Sequence, residues 1–178
     1  MTAKGPESGA GSPRARAVVL RLGNPLMGDD GLGLVALALL RDRWQFPETV
    51  ELVDGGTWGM NLLPLIEDAD QVVLLDAIRA GAPPGTVHRL ERDQLPRYFS
   101  HKLSPHQIDL REVLALAELR GTLPAAVVAL GAEPEVVEMT TDLTSSVAGR
   151  VDELVEAVAA QLAAWGHPGL CRTVPTHA

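Results

Sequence analysis

The chain has 178 residues, 46% of them hydrophobic, with a formal net charge of -8 at pH 7. That length and apolar content suit one globular domain with a sizeable core and exclude a disordered chain. The acidic balance, with no run of Lys or Arg, disfavours nucleic acid and anionic membrane as partners, and no apolar run reaches the length of a membrane span. The single cysteine, Cys171, rules out an intramolecular disulfide and a multi-cysteine metal site. It fits a reducing cytoplasm. Aromatics are only 3% of residues, so the core must be mostly Leu, Val and Ala.

Residues 1–16 are rich in Gly, Pro and Ser and have no apolar h-region, so a flexible tail rather than a secretory signal is expected there. Ala17 to Leu22 is a short apolar run with β-branched valines and reads as a buried strand. From Gly31 to Arg43, apolar residues fall at helical spacing, and Arg41 and Arg43 suit the negative end of the helix dipole. Val50 to Val53 is a second strand closed by the turn "DGGT". Gly59 to Ile66 reads as a short helix that Pro64 would end or kink. "QVVLLD", Gln71 to Asp76, is apolar on both faces and so belongs at the sheet centre. Thr86 to Leu90 alternates, which places it near an edge. The helix of "SPHQIDLREVLALAELRG" has Ser104 as N-cap, Pro105 in the first turn, Gln107 completing a capping box, and Gly121 as its stop. Ala125 to Leu130 is the last strand, and Ser146 to Trp165 is a long amphipathic helix. Residues 167–178 read as a second tail, which leaves a single domain over 17–166.

Alternating strands and helices predict a three-layer α/β sandwich with a mainly parallel sheet. Ligands then sit beyond the carboxyl ends of the strands. That rule selects Asp29 and Asp30 after the first strand, Asp54 after the second, Asp76 after the third, and His106 at the start of a helix. The corner "LGNPLMGDDGLG" has the glycine spacing of a phosphate loop at Gly23 and Gly28. It then continues with two acids, which repel phosphate. Either acid could cap the helix, but both together exceed what a cap needs. Asp54 suits an Asx-turn. Asp76 ends an apolar run, so its carboxylate needs a hydrogen-bond donor or a cation. His106 falls at the second helical position, where the dipole favours the neutral, metal-binding imidazole. His101 is a reserve candidate, whereas His88, His167 and His177 have no such placement. Arg79 and Lys102 are the nearest cations in sequence. Acids with one imidazole suit an open divalent transition-metal site bound through oxygen and nitrogen. An aspartic dyad of Asp30 and Asp76 is the alternative, and their separation is not readable from sequence. No G-x-S-x-G elbow occurs, which disfavours an α/β-hydrolase.

Four segments in this order and spacing, "LGNPLMGDDGLG", "VDGGTWGMNLLPLI", "VVLLDAI" and "KLSPHQIDLREVLALAEL", resemble the hydrogenase maturation proteases. The resemblance runs from Val18 to Val158. It implies an α/β sandwich with a twisted five-stranded sheet. It also implies an endopeptidase that removes a short C-terminal peptide from the nickel-iron hydrogenase large-subunit precursor once nickel is inserted. Carried over residue by residue, it implies that Asp30, Asp76 and His106 form the metal and catalytic site, with their individual roles open. Gly23 and Asn24, with Asp54, Gly55 and Gly56 of the D-G-G-T loop, would shape the same cleft. The expected recognition element is the nickel of the precursor, with no tightly bound organic cofactor. The expected partner is that precursor, met by a cytoplasmic monomer. Arg21 departs from the family, standing where many members have glycine in G-x-G-N, and "LTSSV" replaces the more usual "LTPxV". Competing readings are a non-catalytic nickel-binding chaperone, a nucleotide-binding module, and a metallopeptidase of similar fold without a hydrogenase partner.

Overall fold

A computed structural model describes residues 16–56, 58–95 and 105–172, with 105–109 described in backbone only. The expected tail over 1–15, the end of the second tail over 173–178 (with His177), and the placements of His101, Lys102 and Ser104 lie outside the described residues. The chain runs β1 (Ala17–Leu22), a 3-10 turn (Gly28–Gly31), α1 (Leu32–Arg43), β2 (Trp44–Gln45) and β3 (Val50–Gly56). A second 3-10 turn (Gly59–Leu62), α2 (Leu63–Glu67), β4 (Gln71–Ala77) and β5 (Val87–Glu91) follow. The chain closes with α3 (Pro105–Leu119), β6 (Ala126–Ala132), α4 (Ser145–Ala148), α5 (Val151–Ala164) and β7 (Leu170–Cys171).

Five strands form one sheet in the order β3-β1-β4-β6-β5. All pairs are parallel except β5 against β6. β4 takes the centre and β5 an edge, as their apolar patterns predict. The central strands are buried on both faces, and period two sorts their side chains. Val18, Leu20, Val72, Leu74, Val127 and Ala129 face one core together with Leu62, Ile66, Leu110 and Val113 of the α2–α3 layer. Val19, Val73, Leu75, Val128 and Leu130 face the other, against Leu37 and Leu40 of α1 and Leu154, Val155 and Val158 of α5. Burying both faces is what makes the three layers. Gly33 lets α1 sit tight on the sheet, because a Cβ there would lie 2.6 Å from the Leu75 carbonyl oxygen.

Three expectations shift. The long helix over 146–165 is two helices, α4 and α5, separated at Gly149 and Arg150. Pro64 does not end the short helix: it stands in the first turn of α2, where its missing N–H costs nothing. The chain also stays packed beyond 166. His167 is buried, its Nδ1 bonded to Thr49 Oγ1 and its Nε2 to Gln71 Oε1, both at 2.8 Å. β7 pairs antiparallel with β2 and carries Cys171. Among the described residues, no helix is long and apolar enough to cross a membrane.

Candidate active site

Because β1, β3, β4 and β6 are parallel, their following loops gather at one edge of the sheet. That carboxyl edge holds five buried charged residues: Arg21, Asp29, Asp30, Asp76 and Glu133. The glycine corner is built around Gly23, whose φ of 97° belongs to the left-handed region. A Cβ on Gly23 would lie 2.0 Å from the Asp30 carbonyl oxygen and 3.4 Å from Asp76 Oδ1. Asp30 Oδ2 accepts the Asn24 N–H at 2.8 Å, and Asp76 Oδ1 accepts the Ala77 N–H at 2.8 Å. The Gly23–Asn24 turn therefore bonds one carboxylate and passes close to the other, with Asp30 only 5% and Asp76 1% exposed. Two carboxylates brought to one turn supply the hard oxygen donors that a divalent cation takes.

His106 is the second residue of α3, and its side chain lies outside the described ones. The helix ends at Leu119 and leads to β6 across the opposite edge, so its first turn lies toward the carboxyl edge. Among the described residues, no three of His, Cys, Asp and Glu form a group that could hold a metal. Asp30 and Asp76 are the two of the expected three whose side chains are described.

Asp29 does something different from its neighbour. Asp29 stands in the first turn of the 3-10 segment, as a helix-start acid does, but its carboxylate bonds elsewhere. It is fully buried. Its Oδ2 accepts the N–H groups of Glu135 and Val136 at 2.8 and 2.9 Å, and its Oδ1 accepts the Thr144 N–H at 2.8 Å. The Thr144 hydroxyl adds contacts at 3.0 and 3.1 Å. Asp29 thus ties the first loop to the segment after β6. A backbone bond from Gly28 N–H to the Thr140 carbonyl at 2.7 Å reinforces the tie.

Asp54 does not form an isolated Asx-turn. It forms an ion pair with Arg21, its cross-strand neighbour in the β1–β3 register. Arg21 Nη1 also donates to the Gly23 carbonyl at 3.0 Å. Among the described residues, the cation at this corner is Arg21, from within a strand, while Arg79 is exposed. Arg21, Asn24, Pro25, Asp54, Gly56 and Trp58 line a cleft of about 410 Å³ beside the glycine corner. A larger hollow of about 880 Å³ lies away from the acids, between α3 and β5–β6, lined by Leu95, Leu114 and Leu123 among others.

Glu133, immediately after β6, was not a sequence candidate. Burial alone would raise its pKa. The N–H groups of Ala80, Ala82 and Gly81, at 2.8, 3.2 and 3.2 Å, and His88 Nε2 at 3.2 Å outweigh burial and hold the carboxyl below its usual range. Glu133 thereby clamps the loop that follows Asp76 and gives His88 a structural task.

The comparisons with known proteins agree with this architecture. The family model described as hydrogenase maturation protease matches residues 35–161, a span that starts just after the glycine corner. A hydrogenase expression/formation protein, HoxM of Cupriavidus necator, is 37% identical over 158 residues, covering 88% of this chain and 78% of its own. The hydrogenase 2 maturation protease of Escherichia coli K12 is 35% identical over 148 residues, covering 83% of this chain and 90% of its own. The solved structure of the hydrogenase maturating endopeptidase HybD from E. coli superposes with a TM-score of 0.85 at 34% identity, over 88% of this chain and 98% of that one. A mixed α/β fold around a five-stranded, mostly parallel sheet, carrying its buried acids at the carboxyl edge, thus belongs to a chain of the hydrogenase maturation protease family, a peptide-bond hydrolase acting in hydrogenase maturation.

Proposed function

We propose that this protease removes the C-terminal extension of a nickel-iron hydrogenase large-subunit precursor after nickel insertion, reading the nickel as its recognition element. The observation that carries the reading is the pair of buried carboxylates, Asp30 and Asp76, on the Gly23–Asn24 turn of a chain in this family. The precursor presents its nickel at the carboxyl edge, and Asp30, Asp76 and His106 fill its open coordination positions. Hard oxygen donors with one imidazole suit that ion. An empty precursor brings no cation to offset the two carboxylates, so it docks poorly. Specificity is then the difference in affinity between loaded and empty precursor.

Cleavage requires a water that attacks the scissile carbonyl. Its proton passes to one of the two carboxylates acting as general base, or the water is activated on the substrate's nickel. Asp54, Gly55 and Gly56 form the wall along which the extension lies. The protein works as a cytoplasmic monomer without a tightly bound organic cofactor.

The test is to incubate the protein with nickel-loaded precursor and weigh the large subunit by mass spectrometry. Wild type shortens it, while His106→Ala and Asp76→Asn leave it at full length. Unchanged cleavage in both variants refutes the site assignment. An unshortened subunit with wild type favours a nickel-binding chaperone.

A further inference from the structure

Arg21 is only 5% exposed, yet it stands at the cleft. Its guanidinium joins a loop to a strand: Nη1 donates to the Gly23 carbonyl, and Nη2 pairs with Asp54 near the end of β3. It lies beside Gly56, where a Cβ would be 3.8 Å from Nη2. Its Nε is buried and has no partner among the described residues. As a stabilising device this is a poor arrangement. Burying the Arg21 charge carries a desolvation cost, its orphaned Nε donor adds to that cost, and the attraction to Asp54, which is 46% exposed, is weakened by solvent. An apolar residue inside β1 would serve the core as well. What only a planar two-sided cation can do here is fix the Gly23 carbonyl and the Asp54 carboxylate relative to each other.

We infer that Arg21 is a positioning residue for the cleavage reaction, a clamp that sets the Gly23 turn beneath Asp30 and Asp76 and holds Asp54 as the facing wall of the cleft. The inference rests on the protease reading above. Releasing the Gly23 carbonyl lets the turn that bonds Asp30 and runs beside Asp76 shift. Small misplacements of reacting groups cost rate more than binding. Asp54, by contrast, acts only through the wall.

The experiment measures kcat and KM on nickel-loaded precursor for wild type, Arg21→Met, Arg21→Lys, Asp54→Asn and the Arg21→Met/Asp54→Asn double variant. Hydrogen exchange at residues 22–30 is followed alongside. Arg21→Met is expected to lower kcat about tenfold with KM within about twofold, and to speed exchange at the Gly23–Asn24 amides. Arg21→Lys, which keeps the charge but not the fork, falls between it and wild type. Asp54→Asn loses less than Arg21→Met, and the double variant is no worse than Arg21→Met alone, because the two residues act as one unit. Thr49→Val, far from the cleft, keeps the wild-type kcat and serves as a control for general destabilisation. Wild-type kcat and exchange in Arg21→Met overturn the inference, as does a double variant that loses the product of the two single effects. If wild type itself leaves the precursor uncut, the protease reading fails first and takes this inference with it.

Discussion

The two edges of the sheet handle polarity in opposite ways. At the amino edge a histidine is buried: His167 joins Thr49 to Gln71. The charged pairs there are exposed, as with Arg16 and Glu51. At the carboxyl edge, Arg21, Asp29, Asp30, Asp76 and Glu133 are all buried. Burying charge is costly, so a fold that needed only stability would spread such groups over the surface. Their concentration at one edge supports the proposal that it is the working face. Within it, two kinds of carboxylate separate. Asp29 and Glu133 reach backbone N–H groups of other loops and fasten them. Asp30 and Asp76 flank one glycine turn.

That contrast can be broken in order of effect. Asp76→Asn and Asp30→Asn keep side-chain volume but remove charge, so cleavage of nickel-loaded precursor should fall by at least about 100-fold with little change in thermal midpoint. A comparable loss of stability in either variant would move it into the fastening class. Asp29→Ala orphans the buried N–H groups of Glu135, Val136 and Thr144, and urea denaturation should register a loss of about 3 kcal/mol. A loss under about 1 kcal/mol would mean that the loop tie is carried by backbone bonds alone.

Glu133 adds a pH test. Its folded carboxyl titrates below the ordinary 4.5, so its ionised form stabilises the protein above that value. The contribution disappears as pH falls through the lower folded value. The stability gap between wild type and Glu133→Gln should therefore be widest near neutrality and close in acid. A gap that widens in acid contradicts the assignment. The smallest effect belongs to the surface pair Arg43–Asp152, whose acid is 73% exposed: Asp152→Ala should cost under about 0.5 kcal/mol and leave cleavage unchanged.

Much of this was legible in the sequence. The apolar runs of β1, β4 and β6 announce themselves because burial on both faces removes the polar alternation that would obscure them. Once those strands are parallel, the rule of carboxyl ends selects Asp29, Asp30, Asp54 and Asp76, and the family resemblance singles out Asp30 and Asp76 among them. Three features were not legible, and a fourth, Glu133, was legible but passed over. Asp29 finds Glu135, 106 residues further on, so nothing local separates it from a cap. The Arg21–Asp54 pair depends on the register of β1 against β3, which neither strand carries alone. Glu133 did carry a signal. "AVVALGAE" places an acid at the end of an apolar strand, as "QVVLLD" does, and the argument that singled out Asp76 applies to it equally. The long helix over 146–165 failed at Gly149, where amphipathic spacing continues through a break that only the backbone shows.

The proposed recognition of a nickel-loaded substrate through Asp30, Asp76 and His106 is tested by offering the purified, metal-stripped protein equal amounts of nickel-loaded and nickel-free large-subunit precursor and following the mass of each. The loaded precursor should be shortened and the empty one left intact. Equal cleavage of both, or cleavage of the empty precursor restored by metal returned to the enzyme, would contradict the account.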